Sequence, residues 1–165
     1  MIVTGACGGI GRELVKRIVL EDGLRCCAFV RDAEKLCKVV GSDCFQKTIP
    51  IVHDFEAVSD QWKKDVESLL SPEVREVTLI LTACLIGPIS KVSDLPSEEI
   101  QRNIMTDVMS QVLLVQRLTA CCKGKSLPLK IVQLDSGAAY RPICGWSLYC
   151  AAKAYMSMFL KTLHA

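Results

Sequence analysis

A glycine-rich segment near the start of the chain constrains the fold more than any other feature of the sequence. Ile2–Val3 is apolar, Thr4–Gly11 contains four glycines, and Arg12–Leu20 has the apolar spacing of a helix. A strand, a glycine-rich turn and a helix in this order form the context in which glycines hold a pyrophosphate group. The segment therefore predicts an α/β fold with a nucleotide-binding turn after its first strand.

Three of these glycines have separate tasks in such a turn. Gly5 permits the tight turn, because glycine adopts backbone angles that other residues avoid. Gly9 lets the backbone amides at the helix N-terminus approach the phosphates. Gly11 leaves room for the helix to pack on the strand. A glycine cluster alone is also compatible with an ordinary turn, so a second feature of the sequence has to decide.

Apolar runs alternate with helical patterns along the rest of the chain. Strands are predicted at Leu24–Val30, Thr48–His53, Glu76–Ala83 and Leu129–Leu134, and helices at Asp32–Val40, Glu56–Leu70, Pro96–Leu118 and Tyr149–Leu163. Five strands that alternate with helices predict a doubly wound parallel sheet in the order 3-2-1-4-5, the middle of three αβα layers. The length of 165 residues suits one domain, residues 1–165.

Composition excludes several classes of function. The net charge of +2 is too small to favour nucleic acid or a membrane surface as a partner. No uninterrupted apolar run reaches the ~18 residues of a membrane span, and the N-terminus lacks the regions of a signal peptide. The ten cysteines form no metal-ligand pattern, so we expect no metal and predict the free thiols of a cytoplasmic protein.

The second informative feature lies near the other end of the chain. Tyr149 and Lys153 are four residues apart in a predicted helix, so both lie on one face of it. An ammonium group beside a phenol favours the phenolate, and such a tyrosine can exchange a proton near neutral pH. Ser136 follows a predicted strand, where its hydroxyl could bind a carbonyl oxygen that Tyr149 protonates. The alternative for the pair is a surface lysine beside a packing tyrosine.

Taken together, these residues resemble the short-chain dehydrogenase/reductase family. They are Thr4, Gly5, Gly9 and Gly11 in the motif Thr-Gly-x-x-x-Gly-x-Gly, and Ser136, Tyr149 and Lys153 in the set Ser…Tyr-x-x-x-Lys. Residues 136–154 look like the sepiapterin reductase and benzil reductase branch. The resemblance implies a Rossmann-type fold. It also implies that the chain is truncated at the C-terminus and lacks the usual last strands.

The resemblance implies NADP(H) as the cofactor. In the family an acidic residue at the end of the second strand binds the ribose hydroxyls of NAD, whereas a basic residue just after it favours the 2′-phosphate of NADP. Here Val30 stands at the acidic position and Arg31 follows it. A guanidinium group suits phosphate. The alternative is that Arg31 is a solvated residue at the start of the helix Asp32–Val40.

Further cofactor contacts are implied by position. Asp54 falls where the family contacts the adenine ring, although it could equally cap the following helix. The family's Asn-Asn-Ala-Gly segment, which lines the cofactor, is Leu-Thr-Ala-Cys at 81–84, so Thr82 and Ala83 are the expected contacts. In the glycine motif, Cys7 and Ile10 are also expected beside the cofactor.

Catalytic roles follow from the same resemblance. Ser136 would orient the substrate carbonyl, Tyr149 would protonate its oxygen, and Lys153 would support Tyr149 and bind the nicotinamide ribose. The family's active-site asparagine falls on Asp107, and Asn103 lies one turn earlier. An ionised aspartate accepts the same hydrogen bonds as asparagine but donates none.

Two functions remain open at this point. The first is an NADPH-dependent reductase of a small ketone, dicarbonyl or pterin-like carbonyl. The second is an inactive family member that keeps nucleotide binding or serves as a dimerisation partner, which Asp107 and the altered segment at 81–84 favour. The resemblance implies a homodimer through the fourth and fifth helices, predicted at Pro96–Leu118 and Tyr149–Leu163. Trp146 either lines the substrate pocket or packs at its rim.

Overall fold

A five-stranded parallel sheet forms the centre of the protein. The computed structural model describes residues 1–56 and 61–163. The strands are β1 (Ile2–Val3), β2 (Cys26–Val30), β3 (Thr48–Val52), β4 (Val77–Leu81) and β5 (Leu129–Gln133). Their order in the sheet is β3-β2-β1-β4-β5, and all neighbouring pairs are parallel. The predicted order and the predicted parallel sheet are confirmed.

Helices cover both faces of this sheet. Among the described residues they are α1 (Gly9–Ile18), α2 (Ala33–Val40), α3 (Ser42–Gln46), α4 (Gln61–Leu69), α5 (Ser97–Ile104), α6 (Ser110–Gly124) and α7 (Ser147–Thr162). Val15 of α1 and Leu36 of α2 pack in a core on one face. Val66 of α4, Leu118 of α6 and Met156 of α7 pack in the core on the other. The result is the predicted three-layer αβα arrangement.

Strand burial matches each strand's place in the sheet. All five residues of β2 and of β4 are buried, as expected for strands covered on both faces. Pro50 in β3 is tolerated because β3 is an edge strand, where a missing N–H costs no ladder hydrogen bond. In β5, the other edge strand, burial alternates, and Lys130 and Val132 are exposed.

The chain reverses its direction of winding at β1. β2 and β3 lie on one side of β1, whereas β4 and β5 lie on the other. The connections from β1 and from β4 therefore leave the sheet in opposite directions, and a crevice opens between them at the carboxyl ends of the strands. The glycine turn after β1 lies in this crevice.

The helix boundaries differ from the predicted ones at several positions. α1 begins at Gly9 rather than Arg12, so the glycine turn supplies the first helical residues. The predicted helix Pro96–Leu118 is α5, a π-helical turn at Met105–Met109 and α6 in succession. The helix predicted to start near Glu56 is α4, whose described part begins at Gln61; Glu56 lies in a turn, and residues 57–60 are outside the described residues. Across the described part of the chain, no helix is long and apolar enough to span a membrane.

Candidate nucleotide-binding and catalytic site

The glycine turn after β1 is held by close backbone contacts. Gly5 has a φ of +62°, and a Cβ atom there would lie 2.8 Å from the Cα of Ala83. A Cβ atom at Gly11 would lie 2.9 Å from the carbonyl carbon of Gly5 and closer still to its oxygen. Both positions therefore require glycine. The close contact of Gly11 is with the turn itself, not with the strand as the sequence suggested.

Thr4 ties this turn to the end of β4. Its side chain is buried, and its Oγ1 accepts hydrogen bonds from the N–H groups of Thr82 at 3.0 Å and Ala83 at 3.1 Å. The Thr82 hydroxyl in turn donates to the carbonyl oxygen of Thr4. Thr4 and the Thr82 hydroxyl thus fix the two loops against each other, and the Thr82 hydroxyl proton is already engaged in this contact.

A cleft of about 480 Å³ opens beside the turn. It brings together six of the residues that the sequence assigned to a cofactor, namely Gly5, Cys7, Arg31, Asp54, Thr82 and Ala83. Gly9 and Ile10 are exposed at the N-terminal end of α1, and a Cβ atom at Gly9 would meet no atom within 4 Å among the described residues. The free N–H groups of the first turn of α1 are suited to a phosphate.

Arg31 lines one end of this cleft. It stands between the end of β2 and Asp32, whose carboxylate caps α2 by accepting hydrogen bonds from the N–H groups of Glu34 and Lys35. Arg31 is therefore not a helical residue. Its guanidinium Nη1 lies 3.3 Å from Glu56 Oε1. Lys35 also lines the cleft, so the cleft contains at least two cationic side chains.

The segment after β3 forms another wall of the cleft. Asp54 is exposed, and its carboxylate accepts a hydrogen bond from the N–H of Glu56 at 3.0 Å. His53 and Phe55 also line the cleft, with their rings packed edge to face at 5.4 Å between centroids. Burial lowers the pKa of His53, which favours the neutral imidazole. This wall therefore consists of two aromatic rings without charge and the carboxylates of Asp54 and Glu56.

The expected catalytic residues lie at the carboxyl end of β5 and on α7. Tyr149 is in the first turns of α7, and Lys153 is buried one turn further along. Lys153 Nζ lies 5.7 Å from the centroid of the Tyr149 ring and donates a hydrogen bond to the carbonyl oxygen of Leu134 at 2.8 Å. Ser136 follows β5, and its hydroxyl accepts a hydrogen bond from the N–H of Ala138. None of the three residues lines the cleft of the nucleotide turn.

Asp135 fixes α7 against the end of β5. Its carboxylate accepts hydrogen bonds from the hydroxyl of Tyr140 at 2.7 Å and from that of Ser157, in α7, at 3.3 Å. Partial burial raises the pKa of Asp135, but the hydrogen bonds from Tyr140, the Ser136 N–H and Ser157 outweigh it and leave that pKa lowered. The charged carboxylate is therefore the form that holds the helix in place.

Asp107 is the centre of a buried polar cluster behind the cleft. It lies in the π-helical turn and is 2% exposed. Its carboxylate accepts hydrogen bonds from the N–H of Leu85 at 2.8 Å, the thiol of Cys84 at 3.3 Å and the side-chain amide of Asn103 at 3.3 Å. The amide one turn earlier thus donates to the aspartate that stands at the family's asparagine position. Helices with a π turn often contain functional residues at that turn.

Burial controls the charges in this cluster. It raises the pKa of Asp107 to about 6, against hydrogen bonds from Leu85, Cys84 and Asn103 and the charge of Lys153, which lower it. Burial also raises the pKa of Cys84 to about 12, and the Asp107 carboxylate adds to this increase. The Cys84 thiol is therefore protonated at neutral pH. Asp107 is the group in this cluster that changes charge in the physiological range.

The structure adds site residues that the sequence did not single out. Thr106 lines the cleft and is 8% exposed, and its hydroxyl has no hydrogen-bond partner in the described part of the chain. Gln111 donates a hydrogen bond to the carbonyl oxygen of Ala83 at 2.8 Å. Glu56 and Arg102 form an ion pair beside Arg31. Helical spacing could have indicated Gln111, which is four residues after Asp107, whereas Arg31 precedes α2 and gives no helical spacing to Lys35.

Two loops meet beside Tyr149, namely the loop after β4 and the loop before α7. Trp146 packs edge to face on Tyr149, with 5.5 Å between ring centroids. The N–H of Ser90 donates to the carbonyl oxygen of Gly145 at 3.0 Å, so the loop after β4 contacts the loop before α7. Ile89 is 61% exposed next to this contact. Trp146 is half-buried and stands beside Tyr149, and its role towards a substrate stays a prediction.

The topology and the glycine turn at its switch point define the protein as a dinucleotide-binding α/β protein. The family model described as "short chain dehydrogenase" matches residues 1–165, and the chain belongs to this family. It is a family of oxidoreductases that bind a nicotinamide cofactor, NAD or NADP. The recognition made from the two motifs is confirmed.

Curated relatives include two reductases. The benzil reductase ((S)-benzoin forming) of Bacillus subtilis is 30% identical over 161 residues, which cover 98% of this chain and 64% of that protein. The L-xylulose reductase of Caenorhabditis elegans is 27% identical over 165 residues, which cover 99% of this chain and 63% of that protein. The chain thus spans a little under two thirds of the length of these relatives.

The fold also matches solved structures. A short-chain dehydrogenase/reductase from Burkholderia vietnamiensis superposes with a TM-score of 0.83 at 20% identity, covering 99% of this chain and 74% of that one. At this identity the match concerns the fold alone.

The residues of the cleft fit a nicotinamide dinucleotide. Gly5 and Gly11 shape the turn, and a Cβ atom at Gly9 would meet no atom of the described residues within 4 Å. The N–H groups of the first turn of α1, which lack partners within the helix, can bind a phosphate. The cleft beside them therefore offers both the shape and the donors that a dinucleotide needs.

Proposed function

We propose that this chain is an NADPH-dependent carbonyl reductase of the short-chain dehydrogenase type, and that residues 1–165 form one nucleotide-binding domain. The observation that carries the proposal is the common location of two sites. The glycine turn and Arg31 lie at the same end of the parallel sheet as the Tyr149–Lys153 pair. A cofactor bound along this end would extend from the cleft towards Tyr149.

The cofactor would be held by groups of three elements. The N–H groups at the N-terminal end of α1 would bind the pyrophosphate. Arg31, with Lys35 beside it, would bind the 2′-phosphate and so select NADPH. Asp54 and Ala83 would contact the adenosine, and Tyr149 and Lys153 the nicotinamide ribose.

The chemistry of this chain's own residues is a proton transfer. When bound, NADPH supplies a hydride to the carbonyl carbon of the substrate. Ser136 would orient the carbonyl, and the Tyr149 hydroxyl would give its proton to the carbonyl oxygen. The Lys153 ammonium, anchored on the carbonyl oxygen of Leu134 at 2.8 Å, would stabilise the phenolate that remains. Asp107, at the position expected for the family's asparagine, would interact with Lys153 through its charge.

The substrate proposed is a small ketone or dicarbonyl with an apolar or aromatic body. The benzil reductase of Bacillus subtilis is a relative at 30% identity. The half-buried Trp146 and the exposed Ile89 offer apolar surface next to Tyr149. Apolar surface of this kind favours binding of such a body through its removal from water.

Replacing Tyr149 tests the chemistry separately from binding. We expect Tyr149→Phe to abolish turnover of benzil with NADPH, by at least about 100-fold, because the proton donor is lost. Nucleotide binding should remain, since the ring and its contact with Trp146 stay. Tyr155→Phe is the matched control, because Tyr155 lies on the exposed side of the same helix. Turnover that survives in Tyr149→Phe would contradict the proposal.

The melting temperature measured with each cofactor tests the proposed preference for NADPH. A rise with NADPH that exceeds the rise with NADH supports the role of Arg31, because a ligand that binds only the folded state stabilises it. Equal shifts would contradict the NADPH preference.

A second candidate function is a nucleotide-binding protein without reductase activity. Asp107 favours it, because its carboxylate is already engaged by Leu85, Cys84 and Asn103. Under this function NADPH would raise the melting temperature, but the wild-type chain would turn over no carbonyl and Tyr149→Phe would change nothing.

A homodimer and a cytoplasmic location complete the proposal. Ile104 of α5 and Met158 of α7 are large apolar residues with 46% and 62% exposure, which supports dimer contacts through the fourth and fifth predicted helices. All ten cysteines are free, which supports a reducing compartment. Sedimentation of the chain tests the first point.

A further inference from the structure

An ion network surrounds Arg31 at the end of the cleft. Glu56 Oε1 lies 3.3 Å from Arg31 Nη1 and 2.8 Å from Arg102 Nε. Arg102 Nη1 lies 3.6 Å from Glu99 Oε2 within α5. The network therefore joins three parts of the chain, namely the end of β2, the segment after β3 and α5.

Glu56 competes with a phosphate for Arg31. The Glu56 carboxylate lines the cleft, and it engages the same guanidinium group that the 2′-phosphate would bind. It also places a negative charge beside a ligand group that carries about two negative charges, which raises the energy of the bound phosphate. A cofactor without the 2′-phosphate meets neither effect.

Arg102 limits this competition. Its contact with Glu56 is the shorter of the two, 2.8 Å against 3.3 Å, and involves the same carboxylate oxygen. Glu56 can therefore keep a cationic partner when Arg31 turns to the phosphate. Without Arg102, Arg31 would be the partner that remains for Glu56 in this network, and the exchange would leave a carboxylate unpaired.

We propose that Glu56 and Arg102 set the selectivity between NADPH and NADH by controlling how freely Arg31 can bind the 2′-phosphate. Glu56 weakens NADPH binding, and Arg102 restores it by holding Glu56. Both are positioning residues, since they act through Arg31. This inference rests on the proposed role of Arg31 as the 2′-phosphate ligand.

The two residues should shift selectivity in opposite directions. Glu56→Gln should tighten NADPH binding by roughly three- to tenfold, because the competing charge is removed from a solvent-exposed site. Arg102→Gln should weaken NADPH binding by a similar factor, because Glu56 then depends on Arg31. NADH binding should change less than about twofold in both variants. When Glu56→Gln is already present, adding Arg102→Gln should not change NADPH binding further, because position 56 then carries no charge for Arg102 to hold.

The experiment measures the dissociation constants of NADPH and NADH by fluorescence titration of the 165-residue chain and its variants. Glu99→Gln is the matched control. It removes a carboxylate that contacts Arg102 but not Arg31, so the ratio of the two constants should stay within about twofold of wild type. The shifts should also shrink as salt is raised from about 0.05 to 0.5 M, because exposed charges are screened.

The outcomes separate this inference from the function on which it rests. If Arg31→Gln leaves the NADPH-to-NADH ratio unchanged, Arg31 does not bind the 2′-phosphate, and both proposals fail. If Arg31→Gln removes the preference but Glu56→Gln and Arg102→Gln leave the ratio as it is, only this inference is overturned. Equal changes for NADH and NADPH would mean a structural role and would also overturn it. Opposite shifts confined to NADPH, absent in Glu99→Gln, support it.

Discussion

The glycine turn and the Asp107 cluster meet at the end of β4, but they hold their groups by different physical means. The turn is a set of close backbone contacts, in which Gly5 lies against Ala83 and Gly11 against Gly5. The cluster is a set of hydrogen bonds donated to one buried carboxylate, from Leu85, Cys84 and Asn103. The turn should therefore be sensitive to added volume, and the cluster to protonation.

This difference also separates what each region can tolerate. A methyl group added to the turn has no space, because protein interiors are close-packed and backbone atoms shift less readily than side chains. A neutral group in place of Asp107 keeps similar volume and removes a charge whose burial is unfavourable. A change of volume should therefore destabilise the glycine turn, whereas a change of charge should alter the Asp107 cluster.

The largest expected effect is that of Gly11→Ala. Its Cβ atom would overlap the carbonyl group of Gly5, so we expect the free energy of unfolding to fall by about 3 kcal/mol and NADPH binding to be lost. Urea denaturation and nucleotide titration measure the two effects. Gly9→Ala is the matched control, because a Cβ atom there meets no atom of the described residues within 4 Å. It should weaken phosphate binding without a loss of stability, and equal losses of stability would contradict the distinction.

The Asp107 cluster should make the free energy of unfolding depend on pH. Burial raises the pKa of Asp107 from 3.8 to about 6, so the folded protein binds more protons than the unfolded chain between these values. This group therefore makes the free energy of unfolding fall as pH rises, by about 2 kcal/mol between pH 4.5 and pH 7.5, with little change above. Asp107→Asn should remove this contribution, so the free energy of unfolding of the variant should lack this slope between pH 4.5 and pH 7.5.

Asp135 provides the control of opposite sign. Its pKa is lowered in the folded protein, so it contributes stability above its ordinary pKa, and that contribution is lost as pH falls through the folded value. Asp135→Asn should therefore lower stability at neutral pH and have less effect in acid. Denaturation curves of both variants across the pH range test the pair, and slopes of the same sign would contradict the assignment.

The smallest expected effect concerns Thr106, which lies between the two regions. Thr106→Val removes a buried hydroxyl without a described partner, so the free energy of unfolding should rise by about 1 kcal/mol. Under the proposed function, nucleotide affinity should fall by about threefold at most, because Thr106 lines the cleft but its hydroxyl oxygen is enclosed. Thr48→Val is the control, since that hydroxyl donates to the carbonyl oxygen of Cys44 at 2.8 Å. It should lose stability and leave nucleotide affinity unchanged.

The part of the site that depends on local sequence was predictable. Gly5 has a positive φ and Gly11 contacts Gly5 within the same turn, and Tyr149 and Lys153 share a face because of helical spacing. The strand order followed from alternating strands and helices, since parallel crossovers leave few arrangements. Arg31 was found from its position after β2, and the structure places it in the cleft. Its role in reading the 2′-phosphate stays a prediction.

The remaining site residues could not be found in this way, because their partners are distant in sequence. Glu56 meets Arg31 and Arg102 from 25 and 46 residues away, and Asp107 meets Leu85 from 22 residues away. Such contacts depend on how α5 and α6 pack across the end of β4.

The sequence by itself determined the fold, the family and the position of the nucleotide turn, because each depends on periodicity, on glycine at a crowded turn or on a short spacing within one helix. The tertiary structure alone determined which charged and polar side chains contact each other. It buried Asp107 among three donors, left the buried hydroxyl of Thr106 without a partner among the described residues, and set Glu56 between Arg31 and Arg102. The physical reason is that burial and Coulomb interactions depend on distance in space, which a one-dimensional pattern of residues does not contain.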